Sequence, residues 1–88
     1  MKNSTTLNKQ VAITALSFRS KNGLVGFPKR MEFDGQTYAF QSGLQCLIKK
    51  GQQIVRIFDM TDGNDTFRLR CDEAQRDWTL IAISAGGE

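Results

Sequence analysis

Residues 54–71, IVRIFDMTDGNDTFRLRC, decide the fold class, because two segments of alternating apolar and polar residues flank a short turn. This pattern is typical of an antiparallel β-hairpin that closes over residues 62–65. In that register one face is apolar and the other carries an opposite-charge pair, whereas a shift by one residue would mix the faces. The predicted cross-strand partners are Thr61 with Thr66, Met60 with Phe67, Phe58 with Leu69, Arg56 with Cys71, and Asp59 with Arg68.

A second hairpin is predicted earlier in the chain, where Asp34 and Gly35 form a two-residue turn signal between apolar-rich segments. Such a pair of residues favours the tight turn that joins two antiparallel strands. The predicted partners are Phe33 with Gln36, Glu32 with Thr37, and Met31 with Tyr38. The residues expected on one shared apolar face are Met31, Phe33, Tyr38 and Phe40.

A third hairpin is predicted to turn over the three residues 50–52. This loop places Cys46 opposite Arg56, whose other neighbour is Cys71, so that the two cysteines flank one strand. Strands on either side of a third lie about 10 Å apart, beyond the roughly 7 Å Cα separation that a disulfide tolerates. Both cysteines are therefore predicted to be reduced thiols in the core.

The length of 88 residues suits a single domain, which we assign to residues 10–85. Residues 1–9 are polar and are predicted to form a flexible N-terminal tail, and residues 86–88 a C-terminal tail. Residues 10–19 fit the spacing of either a strand or a helix, and their β-branched side chains favour a strand.

Residues 20–28 contain two glycines and the single proline, and they predict a long loop or irregular hairpin. Residues 72–77 are too few for a packed helix and predict one short helical or 3-10 turn before a final strand over residues 78–84. The result is an all-β domain, a small five- or six-stranded antiparallel barrel or compact sandwich. This order of hairpins, short turn and last strand resembles the layout of SH3-like barrels, a resemblance that carries no function with it.

Catalytic signatures are missing from the sequence. The chain has no histidine, which excludes histidine-based triads and Cys/His zinc sites within one subunit. Asp59, Asp62 and Asp65 cluster at a hairpin tip, where residues of this type serve turn geometry. We therefore predict a non-catalytic protein without cofactor or metal. No apolar segment is long enough to cross a membrane and no secretory signal is recognisable, so a cytoplasmic location without membrane contact is expected.

Positive charge is concentrated in the first half of the chain. Residues 1–44 hold six basic and two acidic residues, hence +4, whereas the whole chain carries +3. Four of the bases bracket the predicted loop beside two phenylalanines, and bases interleaved with aromatic rings are typical of nucleic-acid contacts. These candidate nucleic-acid contacts are Arg19, Lys21, Lys29 and Arg30, beside Phe18 and Phe27.

Apolar residues on the face opposite the main core give a second candidate surface. In the predicted register these residues are Leu47, Val55 and Ile57, and they require a partner surface or a second packed layer. The leading hypothesis is accordingly a binding module for protein–protein contact or self-association. Nucleic-acid binding around residues 19–30 is the alternative, and a small-molecule pocket in the barrel mouth is a third hypothesis.

Overall fold

The computed structural model describes residues 4–20, 24–72 and 77–85, and the chain there folds into antiparallel β-strands. The strands are β1 (Ser4–Ser20), β2 (Leu24–Phe33), β3 (Gln36–Ala39), β4 (Ser42–Lys50), β5 (Gln53–Thr61), β6 (Asp65–Asp72) and β7 (Asp77–Ala85). They form one seven-stranded sheet in the order β3-β2-β1-β7-β6-β5-β4. The all-β prediction is confirmed, but there is one sheet in place of a sandwich, and seven strands in place of five or six.

The sheet curls strongly without closing into a barrel. β2 and β5 are separated by three strands, so a flat sheet would hold them about 19 Å apart. The rings of Phe27 on β2 and Phe58 on β5 nevertheless meet edge to face, with centroids 5.5 Å apart. The ring centroids of Tyr38 on β3 and Phe67 on β6 likewise lie 5.3 Å apart. The concave face of the curled sheet therefore packs against itself and forms the core.

The register predicted for residues 54–71 is confirmed, since β5 and β6 pair with all five predicted partnerships. Phe58 and Leu69 are opposite each other and almost fully buried, at 1% and 0% exposure. They belong to a hydrophobic core that, in the described part of the chain, includes Phe27, Met31, Phe40, Phe58, Met60, Phe67, Leu69 and Leu80.

The hairpin between β2 and β3 is also confirmed, with all three predicted pairs present. Asp34 and Gly35 both have positive φ, 54° and 77°, as a type I′ turn requires at its two central positions. Glycine adopts this conformation without strain, and aspartate tolerates it better than most residues do. The two-residue turn therefore fixes which side chains of β2 and β3 reach the core.

The register predicted for the third hairpin is wrong by one residue. Lys50 pairs with Gln53, so that the loop holds two residues and not three. Its first residue, Gly51, has a φ of +64°, which suits a type II′ turn. The shorter loop moves Cys46 opposite Ile57, on the face away from the core.

The two cysteines consequently occupy different environments. Neither is in a disulfide, but Cys46 is exposed, so its predicted place in the core is wrong, and Cys71 is half-buried. They do lie on the two strands that flank β5, and Cys71 is opposite Arg56 as predicted. The cysteines point to opposite faces of the sheet, because Cys46 pairs with Ile57 and consecutive residues of a strand alternate between faces.

The first strand is longer than the sequence indicates. β1 begins at Ser4, where it pairs with Ser84 of β7, so residues 4–9 belong to the sheet and not to a tail. A register shift between Thr6 and Lys9 surrounds Asn8, whose φ is 53°. The preference for a strand over a helix in the following residues is confirmed.

Of two connections predicted from the sequence, one differs in part from the structure and the other lies largely outside the described residues. The sequence predicts a long loop or irregular hairpin over residues 20–28, and residues 24–28 are found in β2, paired antiparallel with β1, which agrees with the hairpin alternative and not with a long loop. The predicted helical turn falls largely on residues 73–76, which lie outside the described part of the chain. On either side of them Asp72 and Asp77 are strand residues that pair with each other. No helix capable of crossing a membrane occurs among the described residues.

Candidate protein interface on strands β4 and β5

β4 is one edge of the sheet. It pairs with β5 along all nine residues and has no strand on its other side within the described part of the chain. An edge strand presents unpaired backbone N–H and C=O groups that can join another strand. β4 contains no proline, and its two charged residues, Lys49 and Lys50, are confined to its end. The edge is thus long and open along most of its length.

The convex face of β4 and β5 carries a continuous row of apolar side chains. Cross-strand pairing sets Cys46 beside Ile57 and Ile48 beside Val55, with Leu44 next along β4. Leu44 is 77% exposed and Ile48 is 46% exposed, although both are large hydrophobic residues. We call this set the outer stripe: Leu44, Cys46, Ile48, Val55 and Ile57.

Leu47 lies on the other face of β4 from the outer stripe. Leu47 is predicted from the sequence on the same face as Val55 and Ile57, but the register places it opposite Arg56, on the concave side. Its side chain is nevertheless 56% exposed. β4 therefore displays apolar side chains on both faces. The one-residue error in register is also the reason that Leu44, Cys46 and Ile48 were missed as candidates.

An ion pair between β5 and β6 lies at one end of the outer stripe. Arg68 donates two hydrogen bonds to Asp59, from Nε to Oδ1 at 2.8 Å and from Nη2 to Oδ2 at 2.9 Å. The hydrogen bond with Asp59, and then its charge, raises the pKa of the Arg68 guanidinium above the ordinary value. This pair is the charge pair predicted from the sequence, and it lies beside Leu44, because Asp59 is the cross-strand partner of Leu44.

The two ends of the β4–β5 hairpin differ in charge. At one end the β5–β6 turn is acidic: Asp62 Oδ1 accepts hydrogen bonds from the backbone N–H groups of Asn64 at 2.9 Å and Asp65 at 2.8 Å. At the other end Lys49 and Lys50 are exposed. The outer stripe therefore runs between a negative turn and a positive turn.

The basic candidates are only partly gathered by the fold. Lys29 and Arg30 are exposed and adjacent on β2. Arg19 is on the neighbouring strand β1, while its side chain and the whole of Lys21 lie outside what the structure describes. Phe27 is 9% exposed and packs in the core, so it presents no face to a nucleotide, whereas Phe18 is 59% exposed.

A polar groove of about 510 Å³ lies elsewhere on the convex face, across β1, β7 and β6. Its lining residues are Asn8, Gln10, Arg70, Asp72, Asp77 and Thr79. It is not a barrel mouth, because the sheet is open and the residues lie on its outer surface. No group of three or more cysteine, aspartate or glutamate side chains suited to a metal ion is found among residues 4–20, 24–72 and 77–85.

Comparison with known proteins returns no significant match to a family model, a curated protein or a solved structure.

Proposed function

We propose that this chain is a non-catalytic protein-contact module that self-associates through the edge of β4 and the outer stripe. One observation carries the proposal: a nine-residue edge strand exposes large apolar side chains on both of its faces. Natural sheets normally protect such an edge with charges, proline, a bulge or a covering segment. An edge that is long, apolar and open is suited to pairing with a further strand.

The energetics favour a modest affinity. Full burial of a leucine or isoleucine side chain contributes about 1.5–3 kcal/mol, so Leu44 and Ile48 from two copies contribute at most about 6–12 kcal/mol. Association costs about 4–15 kcal/mol in lost rigid-body freedom, and backbone hydrogen bonds across the edge add a modest gain. At the favourable ends of both ranges about 8 kcal/mol remains, which corresponds to a dissociation constant of about 1 μM.

Light scattering and sedimentation velocity test the proposal. The apparent mass of the chain should rise from the monomer value of 9.9 kDa toward the dimer value across the micromolar concentration range. Ile48→Glu should raise the dissociation constant at least about tenfold, because the carboxylate would have to be desolvated in the contact. A strictly monomeric chain up to about 1 mM, the concentration at which binding is worth only about 4 kcal/mol, would contradict the proposal.

Leu16→Glu provides the matched control. Leu16 is 44% exposed, almost the same as Ile48 at 46%, but it lies on β1, where it pairs with Pro28 of β2 and is several strands away from β4 in the sheet order. It should leave the dissociation constant unchanged, and circular dichroism should show that both variants keep the β-sheet. Equal weakening by both substitutions would mean that association is generally hydrophobic and does not depend on the β4 edge.

Nucleic-acid binding is the second candidate, supported by the adjacent exposed side chains of Lys29 and Arg30. If the four basic candidates each contact a phosphate of duplex DNA, log K against log salt should have a slope of about −3.6. Lys29→Gln should reduce the steepness of that slope by about one unit, whereas Lys49→Gln, at the far hairpin, should leave it unchanged. An absence of binding at about 50 mM salt and micromolar protein would remove this candidate.

A further inference from the structure

We infer that the partner strand is β4 of a second copy, which pairs antiparallel with a two-fold axis through Cys46. This inference rests on the proposed function and adds its geometry. This strand pairing joins the two sheets edge to edge into one continuous sheet, with the outer stripes of both copies on the same convex side.

The length of β4 selects this axis. β4 covers Ser42–Lys50, and Cys46 is its central residue. An axis there pairs all nine residues of one strand with all nine of the other, whereas an axis at any other residue leaves some of them unpaired. The resulting partners are Ser42 with Lys50, Gly43 with Lys49, Leu44 with Ile48, Gln45 with Leu47, and Cys46 with Cys46 of the second copy.

The backbone allows this axis. The two-residue turn after Lys50 closes on the pair Lys50 and Gln53, which in such turns is hydrogen-bonded. Even-numbered residues of β4 then direct their backbone groups to β5, and odd-numbered residues direct theirs to the open edge. An axis at Cys46 pairs odd residues with odd residues across the edge, so every backbone group on that edge receives a partner.

The side chains favour it as well. With the axis at Cys46, Leu44 meets Ile48 of the second copy on the convex face, so two exposed hydrophobic residues cover each other. Moving the axis to Leu47 sets Leu44 against Lys50, and moving it to Gln45 sets Ile48 against Ser42. Both alternatives therefore leave a large apolar side chain of the stripe beside a polar residue.

Charge complementarity supports a second copy in this orientation. Antiparallel pairing brings Lys49 and Lys50 of one copy beside residues 42–43 of the other, next to the end of β5. That end leads into the acidic turn that contains Asp62 and Asp65. Opposite charges therefore lie near each other at both ends of the contact, and the like-charged lysines of the two copies lie far apart.

Cys46 supplies a direct probe of the register. The backbone N–H and C=O groups of Cys46 point toward β5 and not toward the second copy. The two Cys46 residues therefore form a non-hydrogen-bonded pair across the new edge, with Cα atoms about 4.5 Å apart. This separation lies within the range for a disulfide. Moving the axis by one residue makes the two cysteines diagonal neighbours about 7–8 Å apart, beyond that range.

Oxidised glutathione, a small-molecule disulfide, tests the register in a Cys71→Ser background. One Cys46 thiolate attacks the glutathione disulfide and releases one glutathione thiol. The second Cys46 then attacks the mixed disulfide, releases the second thiol and leaves a protein disulfide. Quenched samples on non-reducing gels should show covalent dimer forming about a hundredfold faster than in a chain whose only thiol is Leu16→Cys, because pairing raises the effective concentration.

Two further cysteine variants locate the two-fold axis. In a background without native cysteines, Leu44→Cys mixed with Ile48→Cys should give rapid heterodimer disulfides, whereas Ile48→Cys alone should react at the collisional rate. Proteolysis and mass mapping of the oxidised wild-type chain should identify the Cys46–Cys46 peptide without relying on any variant.

The outcomes separate the two proposals. A non-covalent dimer by light scattering that cross-links preferentially through Ile48→Cys, or fails to cross-link at Cys46, overturns this register and leaves self-association standing. A monomer at every concentration overturns both.

Discussion

Replacing Phe58 with alanine is expected to lower the free energy of unfolding by about 3–5 kcal/mol, because a buried phenylalanine leaves a cavity that the surrounding residues fill only partly. Phe58 is 1% exposed. Its ring meets Phe27 at 5.5 Å and Trp78 at 5.3 Å between centroids. It thus holds β2 and β7 against β5 across the concave face. A domain of this size has about 5–13 kcal/mol of stability, so the loss is a large share of the total.

Urea unfolding followed by far-ultraviolet circular dichroism measures this effect. Phe18→Ala is the matched control, since Phe18 is 59% exposed on β1 and its truncation should change stability by no more than about 0.5 kcal/mol. Similar losses for the two alanine variants would show that the curled sheet does not depend on the ring of Phe58.

Gly43→Ala is expected to destabilise the protein by about 1–3 kcal/mol through overpacking. A Cβ atom at Gly43 would clash with the side chain of Met60, which is 3% exposed, and would lie 2.8 Å from the backbone oxygen of Asp59. Met60 has little room to move, and the backbone of β5 is held by strands on both sides. Unfolding in urea, compared with the wild type, gives the difference.

Gly26→Ala tests whether crowding is the cause. Its Cβ atom would lie 3.2 Å from the ring of Phe18, an exposed side chain that can rotate away, so a smaller loss is expected. In a double-mutant cycle, Gly43→Ala should cost at least about 0.5 kcal/mol less in a Met60→Ala background than in the wild type. Additive effects of the two substitutions would exclude a contact with Met60 as the source of the loss.

The sequence predicts the β5–β6 hairpin in full because two independent patterns agree. Phe58 and Leu69 must share a face with the other apolar residues, and Asp59 must meet Arg68 on the opposite face. A one-residue shift would violate both conditions at once. The β2–β3 hairpin is predictable for a different reason, namely that Asp34 and Gly35 allow few alternatives to a type I′ turn.

The β4–β5 hairpin lacks both kinds of signal. Leu44, Cys46, Leu47 and Ile48 place apolar side chains on both faces of β4, so either register buries and exposes similar residues. Gly51 fits a two-residue or a three-residue loop equally well. The feature that prevents prediction of the register from sequence, an edge strand with apolar residues on both faces, is the same feature that makes β4 the candidate interface.

The length of β1 was not predictable from local sequence for another reason. Residues 4–9 have little apolar character, and they join the sheet because β7 pairs with them, from Ser4 opposite Ser84 onward. Asn8 takes up the irregularity with a positive φ that asparagine tolerates. Tertiary pairing therefore overrides a weak local preference.

The strand order has a consequence for folding kinetics. β1, β2 and β3 form one run of neighbouring hairpins, and β4, β5, β6 and β7 form another, so nearly all pairings within each run are local. The two runs join where β1 meets β7, and that contact links residues from opposite ends of the chain. Local hairpins form quickly, whereas closing so long a loop carries the largest entropic cost. We therefore expect the docking of the first strand onto the last to set the folding rate.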